Sequence, residues 1–503
     1  MAEIAIVDIG SRSIVLEVFG LSGDSYKVLY FASEVTFLGK NMGRDGNLNE
    51  NSMKETLDVL KEYKNIIDGH RNIRVYAVCT AAIRNARNQQ EFLSDVQDVL
   101  GANAQVEVIT GEKEAYYDYL GVVNTTIMRD FVMIDTGGAS TEIVLVKDRK
   151  LVGSVSLPFG AANITERHFP HEFAASHNIS EAENTIRPQL EEIPWLSEAK
   201  GLPIIGVGGS IRNLAAAEMK KRLATCSSLH NYMINFSNFD FMYKQIGKLK
   251  TIDRQEKLGI SRKVADVILG GLVPLKVLFK LISSKRVYYS EYSLRQGIFY
   301  EKFAEARRLM TPIEPDVLGA SASRLQERFN CDAVHAKKVE ELAISIFEQT
   351  ITLHRMGERY KRILSIAAKL HDCGEYVQFH NHQEHSFYLI KESDIYGLDQ
   401  WDKLFAAIVA GFHRKERLQF QRWKYRRVLD ANTFARLKQL GAFLAIAEKI
   451  THMEANAEGV KCQISPTTLQ VIITRKDRQR TGQTPATTVR FKKNLYGRKV
   501  FII

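Results

Sequence analysis

The stretch VMIDTGGASTE, residues 132–142, decides the fold of this chain. It is an apolar run that ends at Asp135, followed by a loop of small residues that leads into another apolar run. The same order occurs near the N-terminus in VDIGSRS, residues 7–13, where the apolar run ends at Asp8. Two strand-loop-strand units of the same type predict an internal duplication.

Predicted strands and helices alternate around both loops. Strands are expected at residues 3–7, 14–19, 74–79 and 105–109, with helices at 52–67 and 89–100. The pattern then restarts, with strands at residues 130–134, 142–146 and 202–207 and further helices through residue 303. Alternation of this kind is typical of layered α/β proteins. We therefore predict two α/β domains, at residues 1–125 and 126–310.

The rest of the chain has a different pattern. Pro312 and Pro315 lie in a short polar stretch after a predicted helix and mark a boundary. The residues after this boundary are mostly helical, but from about residue 459 apolar and polar residues alternate at 469–474 and 487–491, and residues 499–503 are strand-like. We predict an all-α domain at residues 311–458 and a small β unit at residues 459–503.

Composition excludes several classes of protein. With 503 residues, 45% hydrophobic and 25% charged, the chain is too long for one core and is not disordered, collagen-like or a disulfide scaffold. Its five scattered cysteines form no C-x-x-C pair, which favours a reducing compartment and argues against structural zinc. The first residues, MAEIAIVDIG, have no basic region before an apolar run, so we do not expect secretion. Charges and Pro274 interrupt the most apolar stretch, residues 264–282, so it predicts a buried helix pair rather than a membrane span. We expect a cytoplasmic protein without membrane contact.

The positive charge is concentrated in the second part of the chain. Residues 1–300 contain 35 Lys+Arg and 35 Asp+Glu, whereas residues 301–503 contain 34 and 23, which accounts for the whole net charge of +11. A basic part of this kind is typical of a protein that meets a polyanion. The alternative is a basic surface that only keeps the protein in solution.

Three loops of small residues follow apolar strands and are candidates for phosphate binding. They lie at residues 10–13, 137–140 and 206–210, and the last leads into a helix. Small residues let backbone N–H groups approach an anion, and a helix N-terminus favours one. A single such loop is more often an ordinary turn, but three of them favour a phosphate site. Asp8 and Asp135, at the strand ends, are suited to hold Mg²⁺ through water beside the phosphate.

Two carboxylates begin the helix predicted after residue 110. Glu112 and Glu114 lie two residues apart, roughly 200° around a helix, so they cannot both face one site. At most one of them takes part in chemistry, because a helix N-terminus also attracts carboxylates for its own stability.

Several ordered motifs resemble those of the exopolyphosphatase / guanosine pentaphosphate phosphatase (Ppx/GppA) family. They are VDIGSRS, TAAIRNARN, ITGEKEA, VMIDTGGASTE, SLPFGAANITE, GVGGSIRNLA and LRQGIFYE, in the family's order across residues 3 to about 303 and more weakly beyond. The resemblance implies duplicated actin-like (ribonuclease H-like) ATPase-type domains, which agrees with the duplication, and it implies a homodimer.

The resemblance also assigns roles to residues. It implies that Glu114 is the catalytic glutamate, that Glu142, Asp135 and Asp8 surround the metal and the attacking water, and that Arg84 faces the phosphate. The phosphate-contacting residues that it implies are Gly10, Ser11, Arg12, Ser13, Gly137, Gly138, Ala139, Ser140, Gly208, Gly209 and Ser210. Three residues depart from the family pattern: Arg12 replaces an asparagine, Ala139 a glycine and Gln296 a glutamate. The first of these departures adds a cation beside the phosphate path.

The predicted helical domain resembles metal-dependent HD phosphohydrolases in His335, the pair His371-Asp372, and Glu448, where those enzymes usually have aspartate. Further histidines, among them His382 and His413, lie between the pair and Glu448. Adjacent histidine and aspartate can present two metal ligands. The alternatives are a vestigial site without catalysis and histidines that line an interface or a groove.

Basic segments in the second part give a candidate path for a polymer. Arg422, Lys424, Arg426 and Arg427 alternate with aromatic residues, and further cations lie at residues 475–480 and 492–493. Such interleaving would suit a nucleic acid, but a phosphate polymer needs only the cations. We favour polyphosphate because the first part already predicts phosphate chemistry.

The sequence therefore predicts a Mg²⁺-dependent exopolyphosphatase that releases terminal phosphate from polyphosphate. Hydrolysis of guanosine pentaphosphate is an alternative that needs the same groups. A sugar-kinase-type phosphotransferase and a non-catalytic polyanion-binding regulator remain further hypotheses.

Overall fold

The N-terminal strands form a five-stranded mixed sheet in the order β3-β2-β1-β4-β5. Its strands are β1 (Ala2–Ile9), β2 (Ser13–Ser22), β3 (Ser25–Val35), β4 (Ile73–Cys79) and β5 (Ala104–Val108). The first three strands are antiparallel neighbours, and β4 and β5 continue the sheet in parallel with β1.

A second sheet repeats this topology. Its strands are β6 (Phe131–Thr136), β7 (Thr141–Lys147), β8 (Lys150–Leu157), β9 (Ile204–Val207), β10 (Tyr232–Asn235) and β11 (Arg286–Tyr289), in the order β10-β11-β9-β6-β7-β8. Here β6, β7 and β8 are antiparallel neighbours, and β9 and β11 continue in parallel with β6. The predicted duplication and the actin-like α/β fold are confirmed, with β10 as an added edge strand.

This computed structural model describes residues 2–23, 25–39, 46–169, 176–221, 228–414, 425–426, 428–454, 457–475 and 489–503. The chain divides into two compact units: unit 1 is Met1–Arg222 with Leu229–Val317, and unit 2 is Leu223–Ser228 with Leu318–Ile503. Both sheets above belong to unit 1. Among the described residues, no helix is both long enough and apolar enough to cross a bilayer.

The helices of unit 1 follow its strands as in other layered α/β folds. They are α1 (Glu50–Asp68), α2 (Ala81–Arg84), α3 (Gln89–Leu100), α4 (Gly111–Val123), α5 (Ala161–His168), α6 (Ser176–Glu191), α7 (Gly209–Lys221), α8 (Phe236–Gly247), α9 (Thr251–Leu258), α10 (Ile268–Leu281) and α11 (Leu294–Arg307). The apolar residues of the strands are buried under these helices, as with Val7, Leu60 and Phe92 in one core.

The apolar stretch around Pro274 forms one helix, so the prediction of a buried helix pair was wrong. Helix α10 contains Pro274 in its interior and is buried along almost its whole length. Proline usually breaks a helix because its ring clashes with the preceding turn and it lacks an N–H group. Here burial of the surrounding apolar side chains outweighs that cost.

Helices α4 and α11 pack closely, which fixes the residues that they carry. A β-carbon added at Gly297 of α11 would lie 1.8 Å from the carbonyl oxygen of Tyr117 in α4. Only glycine allows this approach. The surrounding core includes Leu120 and Phe299.

Unit 2 is helical with a small sheet. Its helices are α12 (Val317–Arg328), α13 (Ala333–Gln349), α14 (Ile351–His354), α15 (Glu358–Leu370), α16 (His382–Glu392), α17 (Gln400–Gly411) and α18 (Ala431–Met453). The sheet has the order β12-β13-β15-β14, with β12 (Ala457–Ile464), β13 (Thr468–Arg475), β14 (Val489–Leu495) and β15 (Arg498–Ile502). The all-α domain and the C-terminal β unit are therefore as expected, and the exact domain borders stay predictions.

Candidate active site

The loops after β1 and β6 have the same closed conformation. The backbone N–H of Gly10 donates to the carbonyl oxygen of Ser13 at 2.9 Å, and that of Gly137 donates to Ser140 at 3.0 Å. The loops also lie opposite each other, because a β-carbon at Gly138 would be 3.4 Å from Cβ of Ser11. The duplication thus brings two candidate phosphate loops to the same cleft.

Neighbouring segments hold both loops by their carbonyl oxygens. Those of Gly137 and Gly138 accept from the first N–H groups of α5 at 2.8 and 2.9 Å. Those of Ser11 and Arg12 accept from the backbone N–H groups of residues 36, 37 and 39 at 2.7 to 3.1 Å. These bonds occupy oxygens that would repel a phosphate, and they keep each loop in place.

The third candidate loop lies beside Asp135. Gly208 has a φ of +94°, and a β-carbon there would lie 2.8 Å from Oδ1 of Asp135. Glycine is needed for both reasons. Helix α7 begins at Gly209, while the side chain of Ser210 is buried against Gly271 of α10.

Glu142 and Asp135 are direct neighbours across the pair of β6 and β7. Glu142 is 2% exposed, and its Oε1 accepts from Oγ of Ser156 in β8 at 2.8 Å. Side chains directly opposite each other in an antiparallel pair are roughly 5 Å apart at Cβ, where two negative charges repel. The cleft therefore contains a carboxylate pair that a cation would stabilise.

Glu114 and Arg84 form an ion pair at the entrance to α4. The helix begins after Thr110, whose hydroxyl accepts from the backbone N–H of Lys113. Arg84 Nη1 donates to Oε2 of Glu114 at 3.0 Å and to the carbonyl oxygen of Ile109 at 2.8 Å. Burial raises the pKa of Glu114, and Arg84 opposes that shift. Glu112, in contrast, is exposed.

Asp118 is a further acid of the cleft that sequence reasoning missed. It lies one turn after Glu114 on α4, is 1% exposed, and its Oδ1 has no hydrogen-bond partner among the described residues. Its pKa is raised well above the ordinary value by burial and by the charges of Asp135, Glu142 and Glu114. Its spacing of four residues from Glu114 was the signal that could have found it.

The acids of the cleft destabilise one another's charged forms. Burial first, and then the charges of Glu114 and Asp8, raise the pKa of Asp135 to about 7. Burial likewise raises the pKa of Glu142, with Glu114 and Asp135 adding to the shift. A bound divalent cation would relieve this repulsion, and the all-oxygen donor set fits Mg²⁺.

Arg295 of α11 supplies a fixed cation behind Asp8. Its Nη1 donates to Oδ2 of Asp8 at 3.3 Å and its Nε to Oε2 of Glu17 at 3.2 Å. Burial raises the pKa of Asp8, and Arg295 opposes the shift. Gln296 donates to both oxygens of Glu17, at 3.0 and 2.8 Å. A glutamate at position 296 would place a second carboxylate against Glu17, so the glutamine avoids that repulsion.

Arg12 does not present a free cation to the cleft. Its Nη2 donates to the carbonyl oxygen of Lys263 at 2.6 Å and to Oδ1 of Asp266 at 2.9 Å, and the guanidinium lies 4.8 Å from the ring centre of Phe37. The charge of Arg12 is thus paired with Asp266. The phosphate contact that the resemblance implied for Arg12 stays a prediction.

The remaining sequence candidates lie in unit 2. His335, His371, Asp372 and Glu448 come together there with ligand atoms within 4.8 Å of one another. Of the candidate polymer path, Arg426 is exposed. Arg422, Lys424 and Arg427 lie outside the described residues.

Comparison with known proteins agrees with this arrangement. The Ppx/GppA phosphatase family model matches residues 26–306, more than half of the chain, and the model of the same family's domain III matches residues 317–473. The chain belongs to the Ppx/GppA phosphatase family. It is therefore a phosphoanhydride hydrolase, and the resemblance read from the motifs is confirmed.

Individual Ppx/GppA relatives extend the comparison. A guanosine-5'-triphosphate,3'-diphosphate pyrophosphatase of Photobacterium profundum is 26% identical over 441 residues, which are 87% of this chain and 84% of that protein. The crystal structure of the Aquifex aeolicus family member is 28% identical with a TM-score of 0.53 and covers 62% of this chain and 99% of its own. An exopolyphosphatase from Cytophaga hutchinsonii ATCC 33406, 23% identical, has a TM-score of 0.54 over 60% of this chain and 98% of its own, which supports the fold.

Proposed function

We propose that this Ppx/GppA phosphatase is an exopolyphosphatase that hydrolyses the terminal phosphoanhydride of inorganic polyphosphate. The observation that supports hydrolysis most directly is the pair of opposed loops beside Glu114, Asp135 and Glu142. The observation that favours a polymer is the cationic surplus of residues 301–503. A long polyanion needs such a surplus, whereas a short nucleotide does not.

In this proposal, Glu114 orients the attacking water and takes its proton. Its raised pKa makes it a stronger base than an exposed glutamate, and such general-base catalysis contributes about 10² to 10⁴-fold. Arg84, held 3.0 Å from Glu114, faces the transferred phosphoryl group and reduces its negative charge. The loops of residues 10–13 and 137–140 and the segment 208–210 hold the phosphate oxygens through backbone N–H groups.

The same acids would hold Mg²⁺. Asp8, Asp135 and Glu142 offer hard oxygen ligands, and Mg²⁺ usually takes only one or two carboxylates while keeping its waters. When bound, it would polarise the phosphoryl group and neutralise charge on its oxygens. Burial and mutual repulsion raise the pKa of Asp135 and of Glu142, so a bound divalent cation would favour their charged forms.

A phosphate-release assay tests the proposal directly. One preparation is given long polyphosphate, short polyphosphate and guanosine pentaphosphate, each with Mg²⁺. We expect the highest kcat/KM for long polyphosphate. A higher value for guanosine pentaphosphate would instead identify a guanosine pentaphosphate phosphatase, the second candidate, which the name of the Photobacterium profundum relative favours.

The same assay separates the other hypotheses. Phosphate release without a nucleotide acceptor would exclude a kinase, and release from any substrate would exclude a pure polyanion-binding regulator. Gel filtration with light scattering would test the homodimer, and cell fractionation would test the cytoplasmic location, both of which stay predictions.

A further inference from the structure

Unit 2 contains a cluster of six histidine and carboxylate side chains that the phosphatase reaction does not use. They come from five separate segments of the chain: His335 in α13, the pair His371-Asp372 after α15, His382 at the start of α16, His413 after α17, and Glu448 in α18. Among the described residues, this cluster forms two overlapping groups in which all ligand atoms lie within 4.8 Å of one another. Asp372 belongs to both groups.

The first group is built around one oxygen of Glu448. Oε2 of Glu448 lies 3.0 Å from Nε2 of His335 and 3.0 Å from Nε2 of His371. Oδ2 of Asp372 is 3.1 Å from the same nitrogen of His371. The four ligand atoms of this group therefore lie within 4.8 Å of one another, close enough to share one metal ion.

The second group uses the other oxygen of Asp372. Oδ1 lies 3.0 Å from Nε2 of His382 and 3.5 Å from Nε2 of His413. Oδ1 is buried and accepts no hydrogen bond with good geometry from any described residue. Asp372 thus presents one oxygen to each group, which is the arrangement of a carboxylate that bridges two metal ions.

The backbone fixes the protonation of three of the histidines. Nδ1 lies 2.7 Å from the carbonyl oxygen of Ala368 in His371, 2.9 Å from that of Phe379 in His382, and 2.6 Å from that of Ala410 in His413. A carbonyl oxygen can only accept, so each Nδ1 carries a proton. In the neutral ring each Nε2 then has a free lone pair directed into the cluster. Metal-binding histidines are usually oriented by such a bond on the other nitrogen.

Two of these lone pairs face each other without an intervening atom. Nε2 of His382 lies 3.0 Å from Nε2 of His413. Two acceptors at this distance repel, and either a shared proton or a metal ion between them removes the repulsion. A metal ion explains more of the arrangement than a shared proton does, because Oδ1 of Asp372 lies near the same two nitrogens and completes a set of three ligands.

The cluster is closed on one side and open on the other. His371, His382 and His413 have no exposed side-chain surface, whereas His335 is 24% and Asp372 19% exposed. Solvent therefore reaches the edge formed by His335 and Asp372. Metal ions seated here would keep open positions on that side.

We propose that unit 2 binds a pair of transition-metal ions bridged by Asp372, with His335, His371 and Glu448 on the first ion, His382 and His413 on the second, and a phosphate group as the ligand of the open side. Imidazole ligands favour Zn²⁺, Fe²⁺ or Co²⁺ over Mg²⁺. Two ions about 3.5 to 4 Å apart form the common arrangement for binding a phosphate group between metals. The proposal is independent of the hydrolysis proposed for unit 1.

Metal stoichiometry tests the proposal. The untagged full-length chain is dialysed against micromolar Zn²⁺ in excess Mg²⁺, which fills oxygen-only sites, and metal per chain is measured by mass spectrometry. We expect two Zn²⁺ per parent chain, and one in a His382→Gln, His413→Gln double variant. The control is His385→Gln in the same helix α16, outside both groups, which should keep two. Fewer than two tightly held ions in the parent, or two in the double variant, would overturn the proposal.

A spectroscopic test applies to the parent alone, so it decides even where a variant fails to fold. With two equivalents of Mn²⁺ added after Mg²⁺, electron paramagnetic resonance should show two ions in exchange coupling through the Asp372 carboxylate. Inorganic phosphate should then change the coupled spectrum. Two uncoupled Mn²⁺ signals would disprove the bridge, and a spectrum indifferent to phosphate would disprove the open phosphate position.

Discussion

At the scale of single residues, Glu114 carries the sharpest prediction for the hydrolysis. Glu114→Gln keeps the shape of the side chain and can still accept from Arg84, but it cannot take a proton from water. We expect phosphate release to fall by about 10² to 10⁴-fold while polyphosphate binding is nearly unchanged. Glu112→Gln is the matched control on the exposed face of the same turn and should be nearly silent. The opposite ranking of the two variants would show that the base is assigned to the wrong residue.

The raised pKa of Asp118 should make the stability of the folded protein depend on pH. Its pKa is raised in the folded protein, so its contribution to stability is complete below the pKa of the unfolded chain and is lost as pH rises through the folded pKa. Asp118→Asn removes this loss, and the gain can reach about 1.4 kcal/mol per pH unit within that interval. We expect the melting temperature of the variant to exceed that of the parent more at pH 8 than at pH 5, measured by calorimetry without divalent metal. A difference that is constant across pH would show that Asp118 is ionised in the folded protein.

At the scale of elements, a substitution in the turn from β9 into α7 should weaken the Mg²⁺ site without a change in any acidic residue. Gly208→Ala places a methyl group 2.8 Å from Oδ1 of Asp135 and forces a side chain into a positive φ. Gly23→Ala is the control for a positive φ without crowding, at a cost of roughly 1 kcal/mol, since Gly23 has a φ of +51° and open space around its β-carbon position. Both variants should lose stability, but only Gly208→Ala should need a higher Mg²⁺ concentration for half-maximal activity. Equal Mg²⁺ titrations for the two variants would contradict a role for Asp135 at the metal.

Most elements of unit 1 could be predicted because their residues alternate or repeat regularly. The helix expected at residues 89–100 is α3, and the strand expected at 74–79 is β4, one residue longer. The strand β3 was missed because it is an edge strand with exposed apolar residues such as Phe31, so its burial pattern is weak. The strand β12 was missed for the same reason, since half of its residues are exposed.

The candidate site could be predicted only in part, because its geometry depends on contacts between distant segments. The strand-end acids and the opposed loops were visible as repeated motifs. The role of Gln296 beside Glu17 was not, since the two residues meet only when α11 packs near β2. The pairing of Arg12 with Asp266 likewise links residues far apart in the chain.

At the scale of the whole molecule, the uneven charge predicts how salt affects substrates of different length. Each polymer phosphate that binds a Lys or Arg releases counterions, so affinity falls with salt more steeply as contacts increase. Neutralising Arg422, Lys424, Arg426 and Arg427 should weaken the binding of long polyphosphate and reduce its salt slope, with little change for a short chain. Binding isotherms at several salt concentrations would measure both. The same slope for variant and parent on long chains would show that this cluster is only a solvated surface, and residues 475–480 and 492–493 would be tested next.

The bonds of Arg12 to Lys263 and Asp266 have a consequence for turnover. They join the loop after β1 to the segment before α10, so they tie the two sheet domains together across the cleft even before substrate arrives. A partly exposed contact of this kind contributes about 1 kcal/mol. This changes the ratio of molecules with a closed cleft to molecules with an open cleft about fivefold. We therefore expect the Arg12→Asn variant to release product faster and to bind substrate less tightly. Both kcat and KM should increase. Stopped-flow measurement of phosphate release would separate the two effects. If both constants stayed at their parent values, the bonds of Arg12 would not favour a closed cleft. The turnover rate would then be determined by other residues of the cleft.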